Sequence, residues 1–224
     1  MKDAIGVARL ARLHSRYMNR RYAILFYSLL LTMIATPVSS ALQSKGVLIE
    51  FLLALNLLAA VMPVHVGRNS LLLFTGLVVL CLTRPAMLWF HHSRISLIPL
   101  GIWTLLGILA AVAALRFAFS ATRVSAEHVY AALSAYLLAG LYFGLLYWIM
   151  EKIGPGTFVS PGDFSRSSGI YFSFVTLATV GYGDILPRTD VARGLAIFEA
   201  VGGQLFLAVF IARLLSMFSM PEGN

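Results

Sequence analysis

Long apolar segments separated by short polar ones dominate the pattern of positions along the chain. Six of these segments cover 22–36, 46–62, 70–90, 95–119, 126–150 and 191–220. Their lengths are of the order of the ~20 residues that an α-helix needs to cross a bilayer. The apolar run of the third segment ends at Leu82, so its helix either stops there or continues past Pro85 towards Phe90. The pattern predicts an all-α membrane protein with six transmembrane helices.

The ends of the predicted helices coincide with residues that start or stop helices. Pro37 and Pro63 follow the first and second segments, and proline lacks the N–H that a continuing helix needs. Asp190 is the expected N-cap of the sixth helix. At ~1.5 Å per residue that helix is about 45 Å long, so we expect it to tilt and to protrude into the cytoplasm.

Composition agrees with residence in a membrane. Of the 224 residues, 59% are hydrophobic and 12% are charged, whereas soluble domains carry about 25% charged residues. The single cysteine, Cys81, excludes a disulfide within one chain, and no Cys/His cluster suggests a metal centre or another cofactor. The His91-His92-Ser93 run has no convergent acid, so we do not expect an enzyme.

Basic residues concentrate at the start of the chain. The net charge is +8, and residues 1–21 contain six of the seventeen lysines and arginines. Four arginines recur there at helical spacing, which predicts an amphipathic helix on the anionic membrane surface rather than a nucleic-acid interface. The alternative, a voltage-sensing arginine helix, needs apolar spacers long enough to cross the bilayer, and this segment lacks them.

The basic residues also predict the orientation of the chain in the cell membrane. With both termini in the cytoplasm, ten of the seventeen basic residues lie inside, in agreement with the positive-inside rule. The connection between the fifth and sixth helices then lies outside. The Ser39-Ser40-Ala41 run is similar to a signal-peptide cleavage site, but the long basic region before the first helix favours a retained segment.

The connection from residue 151 to residue 190 contains a short apolar stretch. Its first part is rich in glycine and proline and has turn chemistry. Ser168–Ala178 is apolar and aromatic, but 11 residues are too few to span a bilayer. We therefore predict a re-entrant half-helix. Backbone at membrane depth is tolerated only where protein buries it or where it lines a cavity, so the segment after the half-helix must face something polar.

Gly181 and Gly183 indicate what that segment does. Glycines at alternate positions adopt left-handed dihedrals at little cost, and such an alternation turns the carbonyls of 179–182 to one side. One chain supplies one row of oxygens, whereas a rotational oligomer supplies rings that replace the water shell of an ion. The negative C-terminal end of the half-helix favours a cation.

The run Thr176-Leu177-Ala178-Thr179-Val180-Gly181-Tyr182-Gly183-Asp184 resembles the signature of potassium channel pores. The resemblance covers about residues 130–219. It implies a pore domain at 124–224 and a homotetramer of this chain with three further copies. It also implies a K⁺-conducting selectivity filter, the filter segment, formed by Thr179, Val180, Gly181, Tyr182 and Gly183. K⁺ is expected at Thr179–Tyr182, with the Thr179 hydroxyl as the innermost ligand.

The same resemblance assigns residues that support the filter segment, namely Thr176, Tyr171 and Asp184. Tyr171-Phe172 stands where the family has a tryptophan pair, whose first member hydrogen-bonds the aspartate after the filter. Tyr171 keeps a polar tip, so either a bond to Asp184 or plain aromatic packing is expected. Val175 stands where some prokaryotic pores have a glutamate.

The sixth helix carries residues that the resemblance places near a cavity and a gate. Gly203 is at the position of the gating hinge, although close helix packing also explains a glycine there. A stripe at helical spacing lines the predicted cavity: Gln204, Leu207, Ala208, Ile211 and Leu215. Gln204 is its polar member and is expected to hydrate the waiting ion.

Two charged residues of the sixth helix need an explanation of their own. Glu199 is an acid in an apolar helix and is expected to have a partner. We predict a hydrogen bond to the back of the half-helix or to a neighbouring chain. Arg213 is expected to extend towards the inner mouth of the pore.

The first four helices, within 22–123, do not resemble a voltage sensor. Ile95–Leu115 contains no basic residue, and moving one charge across ~100 mV yields only about 2.3 kcal/mol, so an uncharged helix senses nothing. We also expect no ligand-binding domain after the sixth helix. Gating is then expected from the membrane part, the filter, the N-terminal helix or a separate partner.

Three alternative functions stay open on the sequence. A nonselective cation channel of the same architecture and a non-conducting membrane protein that binds a partner both fit the pattern of helices. A potassium transporter subunit is the third, but it would carry four degenerate copies of the filter loop, whereas this chain has one intact copy.

Overall fold

The computed structural model describes residues 20–41, 52–56, 59, 97–120 and 125–218. The predicted N-terminal amphipathic helix (apart from Arg20 and Arg21), the third span and most of the second lie outside these residues. The described elements are α1 (Arg21–Ala41), α2 (Leu97–Ser120), α3 (Ala126–Ile153), β1 (Phe158–Val159), α4 (Arg166–Leu177), β2 (Leu186–Pro187) and α5 (Asp190–Phe218). Residues 52–56 are also helical.

Three of the described helices are long and apolar enough to cross a membrane. They are Leu100–Ser120 in α2, Ala126–Ile153 in α3 and Asp190–Ser216 in α5. Arg21–Ala35 in α1 is a shorter apolar stretch. The helical architecture confirms the predicted fold class, while the full number of six spans stays a prediction.

Two helix ends differ from the sequence prediction. α1 continues past Pro37 to Ala41 instead of stopping at Thr36. Proline removes one intrahelical hydrogen bond, but in an apolar environment continued helix still satisfies more backbone groups than an irregular segment does. α3 runs to Ile153, three residues beyond the predicted end at Met150.

The start of α5 also corrects the prediction that Asp190 is its N-cap. Asp190 is the first helical residue, and the preceding Thr189 accepts a hydrogen bond from the Ala192 N–H at 3.3 Å. Thr189 therefore caps the helix. Asp190 lies in the first turn, where a negative charge interacts favourably with the helix dipole, and it pairs with Arg193 at 3.7 Å.

α3 is the central helix of the described fold and packs against α1, α2 and α4. Its residues Leu138, Leu141 and Tyr142 are buried, and the Tyr142 ring occupies the space that a side chain at Gly107 of α2 would need. Glu127 at the start of α3 accepts a hydrogen bond from the Tyr22 N–H of α1 at 3.1 Å. These contacts fix α1 and α2 against one side of α3.

Glycines set the contact between α3 and α4. A Cβ on Gly144 would lie 2.5 Å from the Ile170 Cα, and one on Gly169 would lie 2.5 Å from the Gly144 carbonyl oxygen. The two backbones therefore touch at this crossing, and no side chain fits between them. The crossing fixes the short helix α4 against α3 and so determines where the segment after α4 lies.

Candidate functional site

The short helix α4 leads into the filter segment. It covers Arg166–Leu177, and Ser165 before it accepts a hydrogen bond from the Ser168 N–H at 3.1 Å. Its bounds differ from the predicted half-helix at 168–178 by one or two residues. At 12 residues it is too short to span a bilayer, as the prediction of a half-helix requires.

Backbone hydrogen bonds tie the first half of the filter segment to the end of α4. The Thr179 N–H donates to the Thr176 carbonyl at 3.0 Å, and the Val180 and Gly181 N–H groups donate to the Val175 carbonyl at 2.9 and 3.4 Å. In a trans peptide the N–H of one residue points opposite to the carbonyl of the residue before it, and the described chain has no cis peptide. The Thr179 and Val180 carbonyls therefore point away from α4.

The backbone dihedrals explain how successive carbonyls turn to the same side. The φ angle is positive at Thr179, Gly181 and Gly183, with values of 54°, 59° and 78°. Val180 and Tyr182 between them are not in the positive region. The glycines were predicted from the sequence, but Thr179 was missed, because a β-branched residue is strongly disfavoured there. Its presence in this region indicates backbone strain on the order of 1–3 kcal/mol.

Aromatic and acidic side chains hold the C-terminal end of the filter segment. The Tyr171 hydroxyl donates to the Asp184 carboxylate at 2.9 Å, and the other carboxylate oxygen accepts from the Ile185 N–H at 3.1 Å. The Tyr171 ring is parallel to the Tyr182 ring, with centroids 6.4 Å apart. Tyr171 acts as the donor and Asp184 as the acceptor of the bond between them.

The loop between α3 and α4 is organised by a carboxylate that sequence reasoning missed. Glu151 at the end of α3 accepts hydrogen bonds from the Gly156 N–H at 2.8 Å and the Phe158 N–H at 2.9 Å. β1 then pairs antiparallel with β2, and the Arg188 N–H donates to the Thr157 carbonyl at 2.8 Å. The turn chemistry of the loop was evident in the sequence, but the partner of Glu151 depends on how the loop folds back.

Glu199 of α5 is buried behind α4. Its side chain is 2% exposed and accepts a hydrogen bond from the Tyr147 hydroxyl of α3 at 2.6 Å. Its other carboxylate oxygen bonds the Ser173 hydroxyl of α4. The acid thus joins three helices at the back of the half-helix. The sequence indicated the half-helix as a partner but gave no signal for Tyr147.

Gly203 lies against the end of α4. A Cβ at this position would lie 2.7 Å from the Leu177 carbonyl oxygen, and the same oxygen accepts from the Tyr136 hydroxyl at 3.3 Å. A Cβ on the neighbouring Gly202 would meet nothing within 4 Å. Close packing therefore explains Gly203, and its role as a hinge stays a prediction.

The cavity stripe of α5 begins directly beneath the filter segment. Gln204 donates from its side-chain nitrogen to the Thr179 hydroxyl oxygen at 3.2 Å. Leu207 is half-buried, and Ile211 and Leu215 are exposed in the single chain. The structure thus brings Gln204 to the filter segment, whereas the cavity-lining role of Leu207, Ala208, Ile211 and Leu215 stays a prediction.

Arg213 near the end of α5 contacts the end of α2. Its guanidinium donates to the Phe119 carbonyl at 2.6 Å and lies 5.2 Å from the centroid of the Phe119 ring. A cation is favourable at the C-terminal end of a helix, where carbonyls lack partners. Arg213 thus joins α5 to α2, and its extension towards the inner mouth of the pore stays a prediction.

The described residues contain no group of three or more His, Cys, Asp or Glu side chains that would hold a metal ion. The candidate chemistry near the filter segment is therefore that of oxygen atoms around the segment itself. These are backbone carbonyls and the hydroxyl of Thr179.

Comparison with known proteins identifies the family. A family model described as "Ion channel" matches residues 132–220. Protein LctB of Bacillus caldotenax is 34% identical over 98 residues, which are 41% of this chain and 72% of that protein. The match to inward rectifier potassium channel Kirbac3.1 of Paramagnetospirillum magnetotacticum is 32% identical over 93 residues, covering 40% of this chain and 29% of that protein.

A third relative is a plant protein. Two pore potassium channel c of Oryza sativa subsp. japonica is 36% identical over 64 residues, which are 25% of this chain and 14% of that protein. These matches cover less than a third of the length of each of these two named potassium channels. No solved structure gives a significant match. The match to LctB, the ion channel model and the named channels together show that the chain is a membrane protein of the potassium channel pore family and not an enzyme.

Proposed function

We propose that this protein conducts K⁺ passively across the cell membrane through a filter made by residues 179–183 of four identical chains. The observation that carries the proposal is the backbone of the filter segment. Its first N–H groups bond to the end of α4, so the Thr179 and Val180 carbonyls point to the opposite side. Carbonyls turned to one side are what a site needs to replace the water shell of an ion.

The ion sites follow from this arrangement. K⁺ is coordinated by the carbonyl oxygens of Thr179, Val180, Gly181 and Tyr182, with the Thr179 hydroxyl at the inner end. Gly183 supports the sites through its positive φ of 78°, which few other residues adopt without strain. The C-terminal end of α4 carries the negative end of its dipole and lies beside Thr179, which favours a cation over an anion.

The homotetramer is supported by surfaces that the single chain leaves uncovered. In the apolar stretch of α5 only 17% of the residues are buried, whereas 56% are buried in the apolar stretch of α3. Val180 is 51% exposed and Tyr182 is 70% exposed, although the filter belongs at the centre of a pore. Three further copies around an axis cover these residues, while lipid covers the outer helices.

The remaining organisation of the chain is part of the proposal. Residues 1–21 form a helix on the cytoplasmic membrane surface, 22–123 form a four-helix membrane domain, and both termini are cytoplasmic. Opening does not depend on a charged voltage sensor, because α2 carries no basic residue before Arg116. A separate gating partner or the membrane itself then supplies the signal.

Ion flux through liposomes that contain the purified full chain tests the proposal. We expect K⁺ flux to exceed Na⁺ flux strongly, and we expect Gly181→Ala to abolish this preference or the flux itself. Gly181 has a φ of 59°, and a Cβ in this region costs roughly 1–2 kcal/mol. Gly194→Ala is the matched control, because a Cβ on that glycine meets nothing within 4 Å and the φ is ordinary.

The outcomes separate the proposal from its alternatives. Equal K⁺ and Na⁺ flux would establish a nonselective cation channel instead. An absence of flux from correctly inserted protein would favour a non-conducting protein that binds a partner. Loss of selectivity in Gly194→Ala as well as in Gly181→Ala would show that the effect does not come from the filter segment.

A further inference from the structure

We propose that Gln204 is a positioning residue that fixes the Thr179 hydroxyl and thereby sets the cation affinity of the innermost filter site. The inference rests on the proposed function, because it assumes that this hydroxyl faces a bound ion. It rests on the described hydrogen bond from the Gln204 side-chain nitrogen to the Thr179 hydroxyl oxygen at 3.2 Å.

Local packing brings Gln204 to this place. Gly203 allows α5 to approach the end of α4 so closely that a Cβ would lie 2.7 Å from the Leu177 carbonyl. Thr179 follows Leu177 by two residues, so the next side chain of α5 after Gly203 reaches it. The contact joins α5 to the inner end of the filter segment within one chain and needs no second copy.

The bond from Gln204 affects how the Thr179 hydroxyl can bind a cation. A threonine hydroxyl has one proton and two acceptor lone pairs. The amide donor of Gln204 occupies one lone pair, so the other lone pair is held in a fixed direction and remains for a cation. Thr179 has a positive φ of 54°, a region in which a β-branched residue has no favourable regular structure to orient it. A side-chain bond therefore has more influence on its orientation than it would have in a helix.

This role differs from the one that the sequence predicts for Gln204. On the sequence, the amide is expected to hydrate an ion waiting in the cavity. In the structure its nitrogen is bonded to Thr179, so its effect on the ion acts through the filter hydroxyl. Changing Gln204 should then alter binding at the innermost site rather than only the polarity of the cavity.

Block of K⁺ flux by internal Ba²⁺ measures that site. Ba²⁺ has nearly the radius of K⁺ and twice its charge, so it binds the same oxygens more tightly. We expect Gln204→Met, which keeps the length of the side chain but removes the donor, to weaken the block roughly 3- to 10-fold, as the loss of one hydrogen bond implies. Leu205→Met is the matched control, since Leu205 is adjacent on α5 and exposed, and it should leave the block unchanged.

A double-mutant cycle separates positioning from a general structural effect. In a Thr179→Val background the hydroxyl is absent but the β-branched shape remains, so Gln204→Met should cause no further weakening of the block. The proposal is overturned if Gln204→Met leaves Ba²⁺ block unchanged, or if it weakens the block equally in both backgrounds.

A binding measurement keeps this inference distinct from the proposed function. Ba²⁺ is titrated calorimetrically into the full chain in detergent, which does not require flux. Binding by the unsubstituted protein that weakens in Gln204→Met supports the inference even where no flux is found, a result that would overturn conduction alone. Binding that is equal in both proteins overturns the inference, and a lack of binding by the unsubstituted protein overturns both.

Discussion

At the scale of single residues, the direction of each backbone N–H group determines the direction of the carbonyl of the residue before it. Val175 at the end of α4 accepts two N–H groups of the filter segment, and this alone turns two carbonyls away from α4. The positive φ values at Thr179 and Gly181 make that geometry attainable. The positive φ of the glycines could be predicted from the sequence. That of Thr179 could not, because it depends on hydrogen bonds to α4 rather than on the preference of threonine itself.

Glu199 carries a prediction at the same scale. Glu199→Leu should lower the stability of the protein because it leaves the buried Tyr147 hydroxyl without its acceptor. The Ser173 hydroxyl also loses its bond to the acid but keeps the Gly140 carbonyl as an acceptor at 2.7 Å. An unsatisfied buried group costs about 1–3 kcal/mol. Glu199→Gln keeps one acceptor oxygen and should cost less. Thermal unfolding in detergent, with the loss of folded protein followed by size-exclusion chromatography, measures the difference.

Either of two results would contradict the predicted role of Glu199. A midpoint for Glu199→Leu equal to that of the unsubstituted protein would show that the three-helix junction contributes no stability. A larger loss for Glu199→Gln than for Glu199→Leu would show that the amide, rather than the missing acceptor, disturbs the site.

At the scale of elements, the crossing of α3 and α4 determines where the filter segment lies relative to α3. Gly144→Ala should disrupt this crossing, because the added Cβ would lie 2.5 Å from the Ile170 Cα and backbone cannot rotate away. Overpacking of this kind costs typically about 1–3 kcal/mol. We expect reduced yield of folded protein and a lower unfolding temperature. Gly101→Ala on α2, where a Cβ meets nothing within 4 Å, is the control.

The expected difference between these two variants is what makes the test specific. Equal stability of Gly144→Ala and Gly101→Ala would mean that α3 and α4 do not touch through their backbones. Destabilisation by Gly101→Ala alone would place the critical helix contact elsewhere in the molecule.

Elements also show how far the sequence predicts the structure. The half-helix and the apolar helices follow from length, periodicity and the family resemblance. For Tyr171 the sequence left two possibilities open, and the structure shows both the bond to Asp184 and a parallel ring at Tyr182. The end of α1 does not, because a proline stops a helix only when another backbone arrangement is better satisfied. The partners of Glu151 and Arg213 were missed because they are backbone groups. Those of Glu151 depend on the turn that the next seven residues make, and that of Arg213 depends on tertiary folding.

At the scale of the whole molecule, α5 and the filter segment expose apolar side chains in the single chain, and the proposed homotetramer would cover them. The bond from Arg213 to the Phe119 carbonyl joins the C-terminal part of α5 to the end of α2. The comparisons show a membrane protein of an ion channel family. In the proposed tetramer, four filter segments would meet around one axis.

The most direct test is an experimental structure of the full chain in lipid, with Tl⁺ in place of K⁺ and its anomalous scattering recorded. The account predicts a four-fold axis along the membrane normal. It also predicts Tl⁺ peaks on that axis at the height of the carbonyl oxygens of Thr179 to Tyr182. An assembly without such an axis, or carbonyls of these residues directed away from it, would contradict the central claim.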